Sequence, residues 1–173
     1  ILMDLGVSSH QFDTISRGFS YREEAPLDMR MDYENNEIET AADFLNNYDE
    51  ESIANVIYKY GEERLSRRIA AEIVKKRDES PIKTTKELED ICFHCYPKKD
   101  RFKRPHPATR TFQALRIFVN RELEVLEETI EELFNLLDHG GVLAVISFHS
   151  LEDRIAKHKF KEIFQSDKNI AKI

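Results

Sequence analysis

Two short apolar runs of strand character, one near each end of the chain with helical patterning between them, constrain the fold more than any other feature. Ile1-Leu2-Met3 leads into Asp4, Leu5 and Gly6, and Val142-Leu143-Ala144-Val145-Ile146-Ser147-Phe148 follows directly on Gly140-Gly141. An apolar run ending on an acidic residue and a glycine is how an inner strand of an α/β sheet delivers a side chain to its carboxyl edge. The second run, apolar throughout and β-branched, predicts a strand covered on both faces. If the two strands are neighbours, Asp4 and the loop after it face the same crevice as Phe148 to Ser150. With no initiator Met and no cap before Ile1, the chain reads as one entered in the middle of a strand.

Between these runs the patterning changes twice. From Val7 to about Glu39 no period holds, yet the stretch carries Phe12, Phe19, Tyr21, Leu27, Met29 and Met31. That is too apolar for a disordered linker and predicts a folded-back functional loop. From Thr40 onward helices are expected: one capped by Thr40, one capped by Asp49 and closed by Gly61, one carrying Leu65, Ile69 and Ile73 and stopped by Ser80-Pro81, and one opened by a Thr84/Glu87 capping box. Leu115 through Leu137 predicts one long apolar stripe ended by Gly140-Gly141. Ser150 with Asp153 is expected to cap a last helix, Leu151 to about Gln165.

The chain of 173 residues is about one domain of ordinary size. No apolar run approaches the roughly 18 residues of a membrane span, and no secretory leader opens it. Two cysteines cannot form a disulfide framework, so a cytoplasmic protein with no membrane contact is expected. The five glycines contain no G-x-G pair, which excludes a phosphate-cradling loop within these residues. The net charge of -7 conceals segregation: residues 98–121 hold eight basic side chains and one acidic. Such a band is either a solvated set of helix flanks or a track for a phosphate backbone.

Cys92-Phe93-His94-Cys95 has metal-like spacing but lacks a second ligand pair, and both cysteines fall on an apolar helical stripe where buried free thiols are common. His149, Ser150 and Asp153 stand too close along one turn to make a nucleophile–base–orienter chain. His149 stays a site candidate because the carboxyl edge of an inner strand lines a crevice. Asp4 is the stronger one. It can bind a ligand, accept a proton or cap a turn.

Several longer motifs carry a resemblance. Asp4-Leu5-Gly6-Val7-Ser8-Ser9, Arg17-Gly18-Phe19-Ser20, Pro26-Leu27-Asp28-Met29-Arg30-Met31, Tyr60-Gly61-Glu62-Glu63-Arg64, His106-Pro107-Ala108-Thr109-Arg110-Thr111-Phe112-Gln113-Ala114-Leu115-Arg116-Ile117, Val119-Asn120-Arg121-Glu122-Leu123 and Ile146-Ser147-Phe148-His149-Ser150-Leu151-Glu152-Asp153-Arg154 stand in the order found in the MraW-type methyltransferases. The chain resembles the carboxyl-terminal part of such an enzyme. The resemblance implies an α/β fold: a Rossmann-type methyltransferase domain (residues 1–39 and 106–173) interrupted by an all-helical substrate-recognition domain (40–105). It implies transfer of a methyl group from S-adenosylmethionine to N4 of a cytidine in 16S ribosomal RNA of the bacterial small subunit, with no metal. The family's glycine-rich cofactor loop would lie upstream of Ile1, so these residues alone are expected to be inactive. Asp4 and Gln11 match cofactor-contacting positions. Asp4 and His149 are the candidates for catalysis, and Arg17, Phe19, Arg30, Lys103, Arg104, Arg110 and Arg116 those for RNA contact, with Phe19, Met29 and Phe148 as walls for the base. Arg17 and Arg30 can equally tie the long loop down. A homodimer is left open, and the competing reading is a helical RNA-binding module without activity.

Overall fold

A computed structural model describes residues 1–166. It is mostly helical with one small parallel sheet, and its contacts divide it into two compact units. One is the continuous segment Val7–Asn120; the other combines Ile1–Gly6 with Arg121–Ile173. The units therefore divide at other places than the 39/40 and 105/106 boundaries expected from the motifs. The reason lies in the loop: Phe19, Leu27 and Met29 are buried in the same core as the helices.

The first unit contains α1 (Ser9–Asp13), a 3-10 turn (Ile15–Arg17), α2 (Ala41–Asn47), α3 (Glu50–Gly61), α4 (Ser66–Glu79), α5 (Thr85–Cys95) and α6 (Thr109–Val119). Its helix starts follow local side-chain chemistry. Thr40 accepts from the amide of Asp43, Asp49 from that of Ser52 and Thr84 from that of Glu87, each satisfying a donor that the first turn leaves open. Ile53, Ile57, Ile69, Ile73, Leu88 and Leu115 are wholly buried between α3, α4, α5 and α6. At about 1.5–3 kcal/mol for each such side chain, this stripe is the main stabilising term of the unit.

Gly61 is the last residue of α3, as expected, but the left-handed cap falls one residue later, on Glu62 at φ 50°. Gly61 is also where α6 comes close: a Cβ there would stand 2.4 Å from the carbonyl oxygen of Arg110. The long loop is held on the helices by backbone bonds. Leu27 N–H donates to Lys83 O at 2.9 Å, Thr85 N–H to Ala25 O at 2.9 Å, and Ala41 N–H to Asp28 O at 2.9 Å. Gly18, at φ 71°, passes so close to Pro26 that a Cβ would meet its carbonyl oxygen at 2.3 Å.

The second unit contains β1 (Leu2–Asp4), α7 (Glu122–Asn135), β2 (Ala144–Ile146) and α8 (Ser150–Ser166). The strands are neighbours and parallel, with Leu2 opposite Ala144, Met3 opposite Val145 and Asp4 opposite Ile146. Met3, Leu5, Leu143 and Val145 pack with Leu126 and Ile130 of α7 and Ala156 of α8. Leu2, Ala144 and Ile146 are exposed. The expected cover on both faces of β2 is thus corrected: its side chains alternate, and among the described residues only one face meets helices.

The single stripe expected from Leu115 to Leu137 is also corrected. It is broken between Val119 and Glu122, where Arg121 is left-handed at φ 50°, and α7 ends at Asn135, before the glycines.

Candidate functional site at the carboxyl edge of the sheet

Parallel pairing puts the ends of β1 and β2 side by side. Asp4 closes β1 opposite Ile146, and Leu5 N–H donates to Ile146 O at 3.2 Å, so the segments leaving both strands start from one edge. Asp4 is exposed, and no group among the described residues hydrogen-bonds its carboxylate. It is a free acceptor at the edge where α/β sheets bind ligands. Phe148, 69 % exposed, stands beyond β2.

His149 is built into the start of α8. Its Nδ1 accepts from the amide of Glu152 at 3.4 Å, while the Glu152 carboxylate accepts from the amides of Phe148 at 2.8 Å and His149 at 3.3 Å. Asp153 N–H donates to His149 O at 3.2 Å. This is a capping box with histidine in the place usually held by Ser or Thr. α8 starts at Ser150, one residue before the expected Leu151, and the Asp153 carboxylate pairs with Lys157 at 2.7 Å. His149 Nε2 is buried, 3.2 Å from Glu152 Oε1 but off the line that a hydrogen bond needs. Burial pushes the Glu152 carboxyl up, but the His149 ring and the Phe148 amide outweigh it, and the group lies below its usual range. An ionised Glu152 thus fixes the turn that carries Phe148 and His149.

In the helical unit, Gln11 starts the folded-back loop. Its Oε1 accepts from Ser8 N–H at 3.0 Å while Ser8 Oγ accepts from Gln11 N–H at 3.2 Å, a capping box for α1. The Gln11 amide NH2 is left to donate. Arg17 and Arg30 are brought together. Arg17 Nη2 donates to the carbonyls of Arg30 and Met31 at 2.8 and 2.7 Å, and its guanidinium lies 4.5 Å from the Tyr33 ring centre. Arg30 grips Asp28 through Nε and Nη2, both at 2.8 Å, and donates to Asn35 O at 2.8 Å. The Asp28 carboxyl is raised by burial and lowered further by Arg30, ending below its ordinary value. These bonds hold the loop in shape. Phe19 and Met29 are core, so of the three apolar residues expected as walls Phe148 has an open ring face. His10, Thr14, Ser16, Arg17, Asp28 and Tyr33 line a small open cleft on this loop.

Asn120 locks the loop from the far end of α6. Its Oδ1 accepts from Met31 N–H at 2.6 Å, and its Nδ2 donates to Met29 O and Arg116 O, both at 2.8 Å. Met29 between them is left-handed at φ 65°. Strain of this kind persists only where the surroundings over-determine it.

The basic candidates differ in freedom. Arg110 donates to Glu62 O at 2.8 Å and is half-buried, as is Arg116. Lys103 pairs with Asp100 at 2.7 Å on the surface, and Arg104 is exposed. Both thiols are buried, and burial pushes Cys92 up to about 12 and Cys95 to about 11, so neither is a thiolate near neutrality.

The model of the MraW methylase family matches residues 1–172. The chain belongs to this family. Its relatives include the Ribosomal RNA small subunit methyltransferase H of Clostridium botulinum (strain 657 / Type Ba4), 55% identical over 164 residues that cover 94% of this chain and 52% of the relative. The protein of the same name from Picosynechococcus sp. (strain ATCC 27264 / PCC 7002 / PR-6) is 55% identical over 162 residues, 94% of this chain and 54% of the relative. That from Geobacter sp. (strain M21) is 55% identical over 160 residues, 92% and 51%. The chain spans about half the length of the curated relatives it matches.

Within this MraW methylase chain, Glu152 shapes the turn after β2 and Asn120 holds the loop of the helical unit. Both stand inside motifs that carry the resemblance, but neither was singled out for a role. A signal for Glu152 existed: a glutamate three residues after His149 has capping-box spacing. The clamp made by Asn120 had no local signal, because Met29 and Met31 lie about 90 residues away in the chain.

Proposed function

We propose that this chain is part of an enzyme that methylates N4 of a cytidine in 16S ribosomal RNA, with S-adenosylmethionine as methyl donor, in the cytoplasm. The observation that carries the reading is the free Asp4 carboxylate at the carboxyl end of a strand paired in parallel with the strand that leads to Phe148 and His149. Each residue is free to take part: Asp4 has an unengaged acceptor and, in the helical unit, Gln11 has an unengaged amide NH2. Both are the positions that the family resemblance assigns to the cofactor. When bound, S-adenosylmethionine supplies an electrophilic methyl carbon on a sulfonium.

The remaining work falls to the protein. A cytosine exocyclic amine is a weak nucleophile because its lone pair is delocalised into the ring, so an acceptor at the site must take its N–H hydrogen bonds and hold the lone pair in line. Asp4 can take that position or position the cofactor beside it. As the amine took the methyl group, one N4 proton would have to leave to an acceptor, and the Asp4 carboxylate is exposed and unengaged for that role. Phe148 offers a ring against which an unstacked base can rest. The helical segment then recognises substrate, as an insertion in a Rossmann-type domain, with Arg104, Lys103, Arg110 and Arg116 meeting its phosphates and Arg17 and Arg30 holding the shape of the loop in the same unit. A helical RNA-binding module without activity is the second reading, favoured by the independent core of Val7–Asn120.

The test uses the full-length protein, labelled S-adenosylmethionine and small subunits lacking the modification, with nucleoside digestion and mass analysis. Label is expected in N4-methylcytidine, and Asp4→Ala is expected to reduce incorporation at least about 100-fold. Label in another nucleoside, or full activity in Asp4→Ala, refutes the reading. RNA binding with no label supports the second one.

A further inference from the structure

Phe102 is 88 % exposed, the most exposed of the large apolar side chains among the described residues. It stands on the connector between α5 and α6, within Lys98-Lys99-Asp100-Arg101-Phe102-Lys103-Arg104, five basic residues and one acidic on a chain of net charge -7. The tip is ordered by its own bonds. Asp100 N–H donates to Pro97 O at 2.8 Å and Lys103 N–H to Asp100 O at 3.1 Å. Arg101 turns inward to cap α5, donating to Tyr96 O at 2.9 Å and His94 O at 3.0 Å, with its guanidinium 5.3 Å from the Phe93 ring centre.

Behind Phe102 runs a file of rings. Phe93 meets Phe102 edge-on at 5.5 Å, His106 lies nearly parallel to Phe93 at 6.2 Å, and Tyr21 stacks on His106 at 4.8 Å and 15°. Phe93 therefore braces Phe102 from one side, and at 88 % exposure most of the Phe102 ring is left to solvent. An apolar ring held rigidly in water has no folding benefit of its own, and the charges around it fix what can cover it. Lys98, Lys99, Lys103 and Arg104 are all exposed. The Lys103–Asp100 pair is a surface contact and leaves the ammonium available. Flat aromatic surface flanked by cations is the pairing that single-stranded nucleic acid meets with a base face and its flanking phosphates.

We propose that Phe102 is a stacking platform for one unpaired base of RNA, with Lys103 and Arg104 on the adjoining phosphates. The inference rests on the RNA-methylation reading for the identity of the polymer, and places a binding point on the helical unit in addition to the modified nucleotide. Stacking needs an unpaired base, so the platform discriminates single strand from duplex, which charge alone does not.

The experiment measures binding of the full chain, without methyl donor, to a fluorescent single-stranded RNA of roughly 12 nucleotides containing 2-aminopurine, and to a duplex of the same length, over a range of salt. Phe102→Ala is expected to weaken single-strand binding roughly tenfold with the salt slope unchanged, and to abolish the quenching of 2-aminopurine. Phe102→Tyr is expected to retain both, and duplex binding to change by less than about twofold in either variant. Lys103→Gln and Arg104→Gln are each expected to flatten the salt slope by about one. Thermal unfolding of Phe102→Ala should match the parent, because the ring is solvated. Unchanged single-strand affinity in Phe102→Ala, equal loss on duplex, or a Phe102-dependent affinity for phosphatidylglycerol vesicles that exceeds the affinity for RNA overturns the proposal. Binding is read without methyl transfer, so an inactive protein that shows the Phe102 effect refutes the catalytic reading alone.

Discussion

Replacing Asn120 by alanine tests how the loop is held. The side chain makes three hydrogen bonds, but their losses are unequal. Arg116 O also accepts from the Asn120 backbone amide at 3.1 Å and keeps that partner. Met31 N–H and Met29 O are left without theirs. An orphaned polar group costs about 1–3 kcal/mol, and this part-buried site admits some water, so the sum falls at about 2–4 kcal/mol. For a unit of this size that lowers the melting temperature by roughly 10 °C. Urea unfolding should show a lower midpoint at unchanged slope. Amide exchange should show the protection of Met31 falling more than that of Ile53 in the core. Asn120→Asp keeps the acceptor for Met31 and loses the donor to Met29, so about half of the effect is expected. A loss below about 0.5 kcal/mol, or Met31 protection unchanged in the alanine variant, refutes the assignment of Asn120 as the clamp.

Two further perturbations probe the same unit. Gly61→Ala places a methyl 2.4 Å from the backbone oxygen of Arg110, which cannot turn away as a side chain would, so α3 and α6 must separate; a loss of about 3 kcal/mol or more is expected, and one within about 0.5 kcal/mol by urea titration contradicts the close approach. Asp28→Asn is expected to cost about 1–3 kcal/mol at neutral pH by removing the charge that Arg30 grips. Because the folded Asp28 lies below 3.8, its contribution is complete above the unfolded value near ~3.9 and is lost as pH falls through the folded value. The gap between parent and Asp28→Asn should therefore close in acid, and a gap that persists there refutes the ion pair as its source.

What could be read in advance was what neighbours along the chain decide. Thr40, Asp49 and Thr84 announce their helices because a hydroxyl or carboxylate three residues before an amide needs nothing else to cap it. The strand ends and Asp4 were legible for a like reason, since an apolar run ending in an acid and a glycine is local. The break at Asn120 was not, because the apolar stripe continues through it and only the distant Met29 and Met31 show why the chain turns there. Gly61 ends its helix and is also a contact, a second role set by α6 and invisible in its own helix. Arg17 and Arg30 had two readings, and the carbonyls and carboxylate they hold belong to the loop itself. That helices among the described residues cover only one face of β2 was not legible, because an apolar run does not show how many of its faces are covered.

The pairing of Leu2 with Ala144 has a consequence for the order of folding. Closing a loop of about 140 residues costs about 4 kcal/mol of chain entropy beyond the constant term, for a sheet that gains only three residues per strand. The helical unit lies wholly within that loop and has its own core, so it can form from contiguous chain before the strands meet. Once it has formed, most of the loop is no longer free chain, and the entropy left to lose is far smaller. Among the described residues the edge that presents Asp4 thus forms after the helical unit, and substitutions in β1 and β2 should speed unfolding while leaving the folding rate nearly untouched.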